Sequence, residues 1–330
     1  ERFNTEVLEE FTKRYNIPST TLKEVGGFES FIYEYKDNGQ AYILRITHSG
    51  RRSQAMILGE VDWINYLVEG GAGASQVINS KDGALVELVQ DGHGEYFIST
   101  VFEKAPGVPP DDFGWSDALF KTIGKTVGKL HSLTKAYIPK NTKAYRPQWD
   151  DPIILTDETW LPEGEEHIFQ KYQEIIEFCH TLPQIREEYG LVHFDIHSGN
   201  FFVDEDSSIH LFDFDDCHYS WFANDIAIAL FYRISGAKRK TAFIDNFMKH
   251  FISGYQTENN FRAEWLDLIP MFLKQREIDL YAVVHRSFDM ATTDNKWVLR
   301  YMDGRREKIE NDVPFVKFDF RRLEKYLSQT

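Results

Sequence analysis

A chain of 330 residues with 42% hydrophobic side chains has length for about two domains and can bury a substantial core. Its 37 basic and 52 acidic residues leave a net charge of −15, which excludes nucleic acid as the main partner, because gripping a phosphate backbone needs a basic face. The two cysteines, Cys179 and Cys217, make neither a disulfide framework nor a zinc site and fit a reducing cytoplasm.

No apolar signal region follows Glu1, and no apolar run approaches the roughly 18–20 residues of a membrane span, so no membrane partner is expected. Val7, Leu8, Phe11 and Tyr15 fall on a helical spacing and predict a leading helix over 5–15. Residues 21–25 and 31–35 read as strands around a turn at Gly26-Gly27 that runs to Ser30. Such a turn offers backbone N–H groups to a phosphate, but its composition also makes plain hairpins. Asn38-Gly39 turns the chain into a third strand, 41–46, which carries Arg45. A helix over 54–68 sets Ile57, Val61, Ile64 and Leu67 on one face and contains Glu60. Strands 84–89 and 96–102 complete a sheet, and Pro106-Gly107 punctuates the linker that begins at Glu103. Arg45 reads as an ordinary strand charge or as a phosphate-binding cation, and Glu60 as a solvated helical carboxylate or as its partner.

From residue 116 the pattern is helical. Leu119, Ile123, Val127 and Leu130 define a helix over 118–133, and His131 near its end reads as packed or capping. Residues 135–161 hold Pro139, Pro147 and Pro152 and are expected as a long surface connection. Helices are expected over 167–182, 224–232, 243–255, 265–291 and 317–327, within a helical remainder 238–330. The dense aromatics of that remainder are core, or walls for a cationic substrate.

The most informative stretch is Leu191 to Asp216. A short apolar run enters a polar loop, His193-Phe194-Asp195-Ile196-His197-Ser198-Gly199-Asn200, and a tight hairpin then ends in Asp213. The hairpin is expected to bring Asp195, Asn200 and Asp213 toward one point. Phosphoryl transfer needs that set. Magnesium takes oxygen ligands, for which Asn200 and Asp213 suit, and Asp195 accepts the proton of the attacking hydroxyl. Asp195 and Asn200, with four residues between them, fit the kinase catalytic loop, and Asp213-Phe214 opens the following triplet.

The loop resembles the His-Gly-Asp-Leu-His-Pro-Gly-Asn signature of the aminoglycoside phosphotransferase and choline kinase superfamily, small-molecule relatives of the protein kinases. Asp213-Phe214-Asp215-Asp216 and Asn224-Asp225-Ile226-Ala227 resemble its later motifs in the same order. Phe194 in place of Gly and Ser198 in place of Pro are departures that remove no reacting group. The resemblance implies an α+β, bilobal, protein-kinase-like fold: an N-lobe antiparallel sheet of about five strands with one helix, and a mainly helical C-lobe. It divides the chain into a nucleotide-phosphate clamp over 1–103, a hinge over 104–107, and a C-lobe over 108–330 with the catalytic loop and acceptor pocket. ATP and Mg2+ are the implied cofactors. Gly26, Gly27 and Ser30 would lie along the phosphates, and Arg45 would hold them while paired to Glu60. The backbone of Glu103 and Ala105 would meet adenine. His193 and Asp225 would support the loop, and Asp215, Asp216 and Trp221 would face the acceptor.

The implied reaction moves the γ-phosphate of ATP to a hydroxyl of a small molecule: an aminoglycoside, choline or ethanolamine, homoserine or similar. The acidic balance is compatible with a cationic acceptor, and either a monomer or a homodimer fits. A Ser/Thr protein kinase of the same superfamily is the nearest alternative. From another class, His193, Asp195 and His197 by themselves match a metal-dependent hydrolase.

Overall fold

The computed structural model describes residues 2–27, 29–235 and 240–328. Two compact units emerge: Glu1–Phe113 with Ala136–Arg146 and Asn200–Asp215, and Gly114–Lys135 with Pro147–Gly199 and Asp216–Thr330. In chain order the elements begin α1 (Thr5–Arg14), β1 (Lys23–Gly26), β2 (Phe31–Asp37), β3 (Gln40–His48), α2 (Gln54–Glu69), β4 (Val77–Ile78), β5 (Glu87–Gln90), β6 (Tyr96–Glu103) and α3 (Pro110–Phe113). They continue α4 (Asp117–Thr134), α5 (Glu166–Cys179), β7 (Tyr189–Val192), β8 (Phe201–Val203), β9 (Ile209–Leu211), β10 (His218–Trp221), α6 (Phe222–Ser235), α7 (Lys240–Tyr255), α8 (Trp265–Ser287), α9 (Lys296–Met302) and α10 (Arg305–Glu310).

In the first unit the antiparallel sheet runs β1-β2-β3-β6-β4, with β5 also on β6. Alternation puts Tyr33, Tyr35, Leu44, Ile46, Phe97 and Val101 on one face, where Val7 and Phe11 of α1 close the core. Asn4 caps α1 by accepting from the Val7 N–H, and Ser53 caps α2 through Met56. The β8–β9 hairpin belongs to this unit. The Leu211 N–H donates to Gly73 at 2.8 Å and the Val108 N–H to Val203 at 3.0 Å, which fixes the hairpin to the segments after α2 and after β6.

The second unit is built on helices around the β7–β10 pair, where Leu191 faces Tyr219. Helix α6 is buried along nearly its whole length, from Phe222 to Ile234, as an all-round apolar helix must be. Helices α4 and α7 approach backbone to backbone. A Cβ on Gly124 would stand 1.9 Å from the Phe251 carbonyl oxygen. Gly124→Ala is therefore expected to lower stability by about 1–3 kcal/mol through overpacking, read as a shift in the denaturant midpoint. An unchanged midpoint would mean that the helices separate at little cost.

The mixed α/β architecture is as expected, with instructive differences. The sheet has six strands, because Val77–Ile78 adds one too short to show periodicity. The strand expected from 84 starts at Glu87, since Ala84 closes a turn on Ser80, whose N–H donates to the Ala84 carbonyl at 2.7 Å. The connection over 135–161 is not simply surface: Arg146, Trp149 and Thr156 are buried. Arg146 bonds the Met56 carbonyl at 3.1 Å within the first unit. The helix expected to reach 182 stops at Cys179 and the one expected to reach 291 stops at Ser287. The stretch expected as a helix over 317–327 is a 3-10 helix, Phe320–Tyr326, begun by Asp319 accepting from the Arg321 N–H. The ends of the expected helical remainder, Lys238 and Thr330, lie outside the described residues.

Candidate active site

In the first unit the Arg45 guanidinium, projecting from β3, meets the Glu60 carboxylate of α2 in two parallel hydrogen bonds of 2.8 and 2.6 Å. Both residues are buried. Burial works against the Arg45 charge, but Glu60, with smaller help from Asp215 and Asp213, holds the guanidinium protonated beyond its ordinary range. The glycine turn carries Gly26 at φ +102° and Gly27 at φ +144°. A Cβ on Gly27 would fall 1.9 Å from the Ser30 carbonyl oxygen, so glycine is required there. The Ser30 hydroxyl shares a 2.9 Å hydrogen bond with Thr47. At the end of β6 the Glu103 N–H donates to Gln76 at 2.8 Å, and Ala105 beyond it is buried.

Asn200 and Asp213 flank the β8–β9 hairpin, and the Phe212 N–H donates to the Asn200 carbonyl at 3.0 Å, tying the two ends together. Asp213 is exposed and sits at φ +63°, while Phe214 behind it is buried edge-on against Trp63 at 5.6 Å. One carboxylate and one amide oxygen are hard oxygen donors. They fit magnesium or calcium completed by phosphate oxygens, and do not fit a thiolate-seeking metal.

Asp215, expected to face the acceptor, is engaged differently. Arg51 reaches its carboxylate at 2.6 Å and Arg52 at 3.1 Å, and its carbonyl accepts from Arg146 at 2.7 Å. Burial would raise the carboxyl, but Arg52, Arg51, Arg45 and Arg146 together hold it well below the usual carboxylate range. It is a knot of arginine contacts within the first unit.

In the second unit β7 leads into the loop that carries Asp195. Asp225 near the start of α6 accepts from the backbone N–H groups of Phe194 at 2.8 Å and His193 at 3.2 Å. Its Oδ2 also meets His131 Nε2 at 3.1 Å, and His131 Nδ1 meets the Tyr255 hydroxyl at 2.9 Å. His131 is thus a packed residue. Burial, the largest single influence, would raise the Asp225 carboxyl, but the hydrogen bonds from His131 and the Phe194 N–H, with the nearby His131 and His193 rings, together lower it. Phe194 lies at φ +67°, the left-handed region that favours glycine. A non-glycine residue there costs about 1–2 kcal/mol, offset by the Asp225 bonds and by the ring's edge contact with His218 at 4.1 Å.

Asp195 is gripped by three groups. Arg276 of α8 donates to Oδ1 at 2.6 Å, the Tyr232 hydroxyl of α6 donates to Oδ1 at 3.2 Å, and His197 Nε2 lies 3.1 Å from Oδ2. His197 Nδ1 accepts from the Gly199 N–H at 2.9 Å, so the ring's proton sits on Nε2 and points at Asp195. Burial would raise the Asp195 carboxyl, but the His197 hydrogen bond and the Arg276 charge lead the influences that hold it well below the usual range.

Sequence reasoning missed Arg276 and Tyr232. Arg276 is 81 residues from Asp195 on a helix with many charges, and no local pattern marks it. Trp221, expected at the acceptor, is 1% exposed and donates its indole N–H to Pro183 at 2.8 Å, a core placement. Asp216 is half-buried and its carbonyl accepts from His218 Nδ1 at 2.9 Å. The hydrolase set is not assembled. His193 Nδ1 accepts from the Asp195 N–H at 3.3 Å, and among the described residues no group of three His, Cys, Asp or Glu side chains is placed to hold a metal. No helix among the described residues is long and apolar enough to cross a membrane.

A family model described as the phosphotransferase enzyme family matches residues 21–263. The chain is 38% identical over 322 residues to amicoumacin kinase of Bacillus subtilis (strain 168), covering 96% of this chain and 95% of that protein. Among solved structures, amicoumacin kinase hAmiN in complex with AMP-PNP, Ca2+ and Ami superposes with a TM-score of 0.92 at 36% identity, covering 98% of both chains. A microcompartment-associated aminopropanol kinase shares the fold, with a TM-score of 0.75 at 20% identity over 93% of this chain and 97% of that one.

Proposed function

This chain belongs to the phosphotransferase enzyme family and is an ATP-dependent kinase of small molecules, and we propose that its acceptor is an amicoumacin-type antibiotic. The observation that carries this reading is the 38% identity that extends over 96% of this chain and 95% of the Bacillus subtilis enzyme. Helices after the shared family motifs are where acceptors are distinguished, and a match that runs through them argues for a shared acceptor.

The residue roles follow from the chemistry at hand. Residues 1–103 form the phosphate clamp, in which Arg45, aligned by Glu60, holds the phosphates with the glycine turn of Gly26, Gly27 and Ser30 beside them. Residues 104–107 are the hinge, beside which the backbone of Glu103 and Ala105 takes adenine. Residues 108–330 supply the base, the metal ligands and the acceptor pocket. Asn200 and Asp213 hold the divalent ion, which when bound neutralises charge on the phosphates. Asp195 orients the acceptor hydroxyl and receives its proton. Its low basicity suits a loose transition state, in which little proton transfer has occurred and orientation dominates. Arg276, Tyr232 and His197 position Asp195.

The test is magnesium-dependent ATP consumption against a panel of amicoumacin, amino alcohols, aminoglycosides, homoserine and a generic protein substrate. Turnover confined to amicoumacin supports the reading, and turnover confined to another compound transfers the assignment to it.

A pH profile checks the positioning. A depressed Asp195 carboxyl stays ionised until the pH falls through its lowered value, so the acid limb of kcat/KM lies below the ordinary carboxylate range. Removing the Arg276 charge lets the carboxyl rise, and Arg276→Ala is expected to move that limb up by about one pH unit or more. An unmoved limb would detach Arg276 from the ionisation that governs turnover.

A further inference from the structure

We infer that a cleft of the second unit, between the start of α7, α8, α10 and the segment 313–317, binds an oxyanion, a carboxylate or a phosphate monoester, carried on an apolar body. Its free volume is about 370 Å3, the size of a small-molecule site. The inference goes beyond the kinase reading and does not depend on which acceptor is phosphorylated.

The sign of the charge marks the cleft. The whole chain carries −15, yet Lys240, Arg305, Lys308 and Lys317 line this wall with a single carboxylate, Glu277. That carboxylate is buried and already accepts from Lys274 and Arg305. Neighbouring acids are engaged elsewhere: Asp312 pairs with Lys171, and Glu310 with His167 and Arg306. Among the described residues the Lys240 and Lys317 ammonium groups meet no acceptor, and Lys308 donates only to the Asp303 carbonyl at 3.3 Å. Burial lowers the Lys240 ammonium from its ordinary value, and Arg305 and Lys308 press it down further against the lift from Glu277. An oxyanion placed among these cations turns that repulsion into attraction, with charge-assisted hydrogen bonds.

The cations are held before any ligand arrives. Lys240 Nζ and the Arg305 guanidinium lie 5.3 and 5.5 Å from the centroid of one ring, Phe315. Phe315 is itself stacked on Phe231 of α6 at 4.3 Å. Arg305 donates from Nε to the Tyr301 carbonyl at 3.1 Å and from Nη1 to Glu277. A guanidinium fixed in this way still has N–H groups to offer. Lys274 joins Glu277 to the Val313 carbonyl, the latter at 2.6 Å, which anchors the segment carrying Phe315 to α8. Helix α7 begins at Lys240, so the positive end of its dipole adds to the same field.

The rest of the wall sets the ligand's other half. Val313, Pro314, Phe315 and Val316 line the cleft beside the cations. A bare anion leaves these groups against water, whereas an aryl or alkyl body covers them.

The test uses the full chain saturated with AMP-PNP and magnesium, so that the phosphate clamp is occupied. Phenyl phosphate, benzoate, inorganic phosphate and benzylammonium are titrated at ionic strength matched with sodium chloride. Isothermal titration reads the affinity, and the thermal midpoint reads the stabilisation that binding brings. An aryl anion is expected to bind saturably and several-fold more tightly than inorganic phosphate, and benzylammonium is expected not to bind. The tighter of phenyl phosphate and benzoate names the head as phosphate or carboxylate. Lys240→Gln and Lys308→Gln are each expected to weaken binding several-fold, and the double variant about tenfold or more. The ligand-free midpoint shows that each variant is folded, and Lys308→Gln, at an exposed position, tests the cleft even where Lys240→Gln fails to fold. Binding of benzylammonium as tight as that of the aryl anions, unchanged affinity in the folded variants, or no saturable response to either aryl anion would overturn the inference. Inorganic phosphate binding as tightly as phenyl phosphate would overturn the apolar body. Failure of AMP-PNP to bind would strike the kinase reading alone, and the variants would still decide the cleft.

Discussion

Asp195→Asn is expected to lower kcat about 10²–10⁴-fold, while the affinity for AMP-PNP, measured by isothermal titration, changes little. The argument rests on what touches the carboxylate. Arg276, Tyr232 and His197 together hold both oxygens, so the group is fixed in orientation before any acceptor arrives. Asparagine keeps the size but carries one oxygen and no charge. Its NH2 end would face one of the three donors, and it can accept no proton from the acceptor hydroxyl. Asp195→Ala removes more, because it also leaves the Arg276 guanidinium without its carboxylate, and it is the less clean probe. The thermal midpoint of each variant separates a folding defect from a chemical one. A kcat within about tenfold of the parent in a folded Asp195→Asn protein would remove this residue from the chemistry, since general bases contribute more than that.

Much of this arrangement was legible in the sequence, for reasons that differ by residue. Asn200 and Asp213 could be placed together because a hairpin is local, and its two ends meet whatever the rest of the chain does. Arg45 and Glu60 could be paired because the resembling family sets a cation on this strand against a glutamate on the following helix, and the structure joins them at 2.8 and 2.6 Å. Arg276 was illegible because its partner is 81 residues away, and the helix that carries it has other charged residues with purely structural partners. Asp215 misled for the opposite reason. Its place beside Asp213 looked functional, but Arg51, Arg52 and Arg146 arrive from distant segments and take it up. Phe194 carried a signal that was undervalued. A bulky residue at a position where the resembling signature has glycine marks a left-handed backbone, and the φ of +67° is what Asp225 secures by accepting from the two neighbouring N–H groups.

Arg45→Ala is expected to raise the KM for ATP strongly and also to cost about 3–5 kcal/mol of stability, because it leaves the Glu60 carboxylate buried without its cation. The two effects must be separated before the first is read as phosphate binding. The double variant Arg45→Met/Glu60→Leu does so. Replacing a buried ion pair by apolar side chains of similar volume is often neutral or stabilising, so the double variant should recover most of the lost denaturant midpoint. It should recover none of the ATP affinity, since methionine offers nothing to a phosphate where arginine offers a planar fork of donors. If nucleotide binding returned with stability, the pair would be a packing device and the phosphate contact would have to come from elsewhere. If neither returned, Glu60 would be needed for more than neutralising Arg45. Only recovery of the fold without the affinity assigns Arg45 to the phosphates and Glu60 to holding it there.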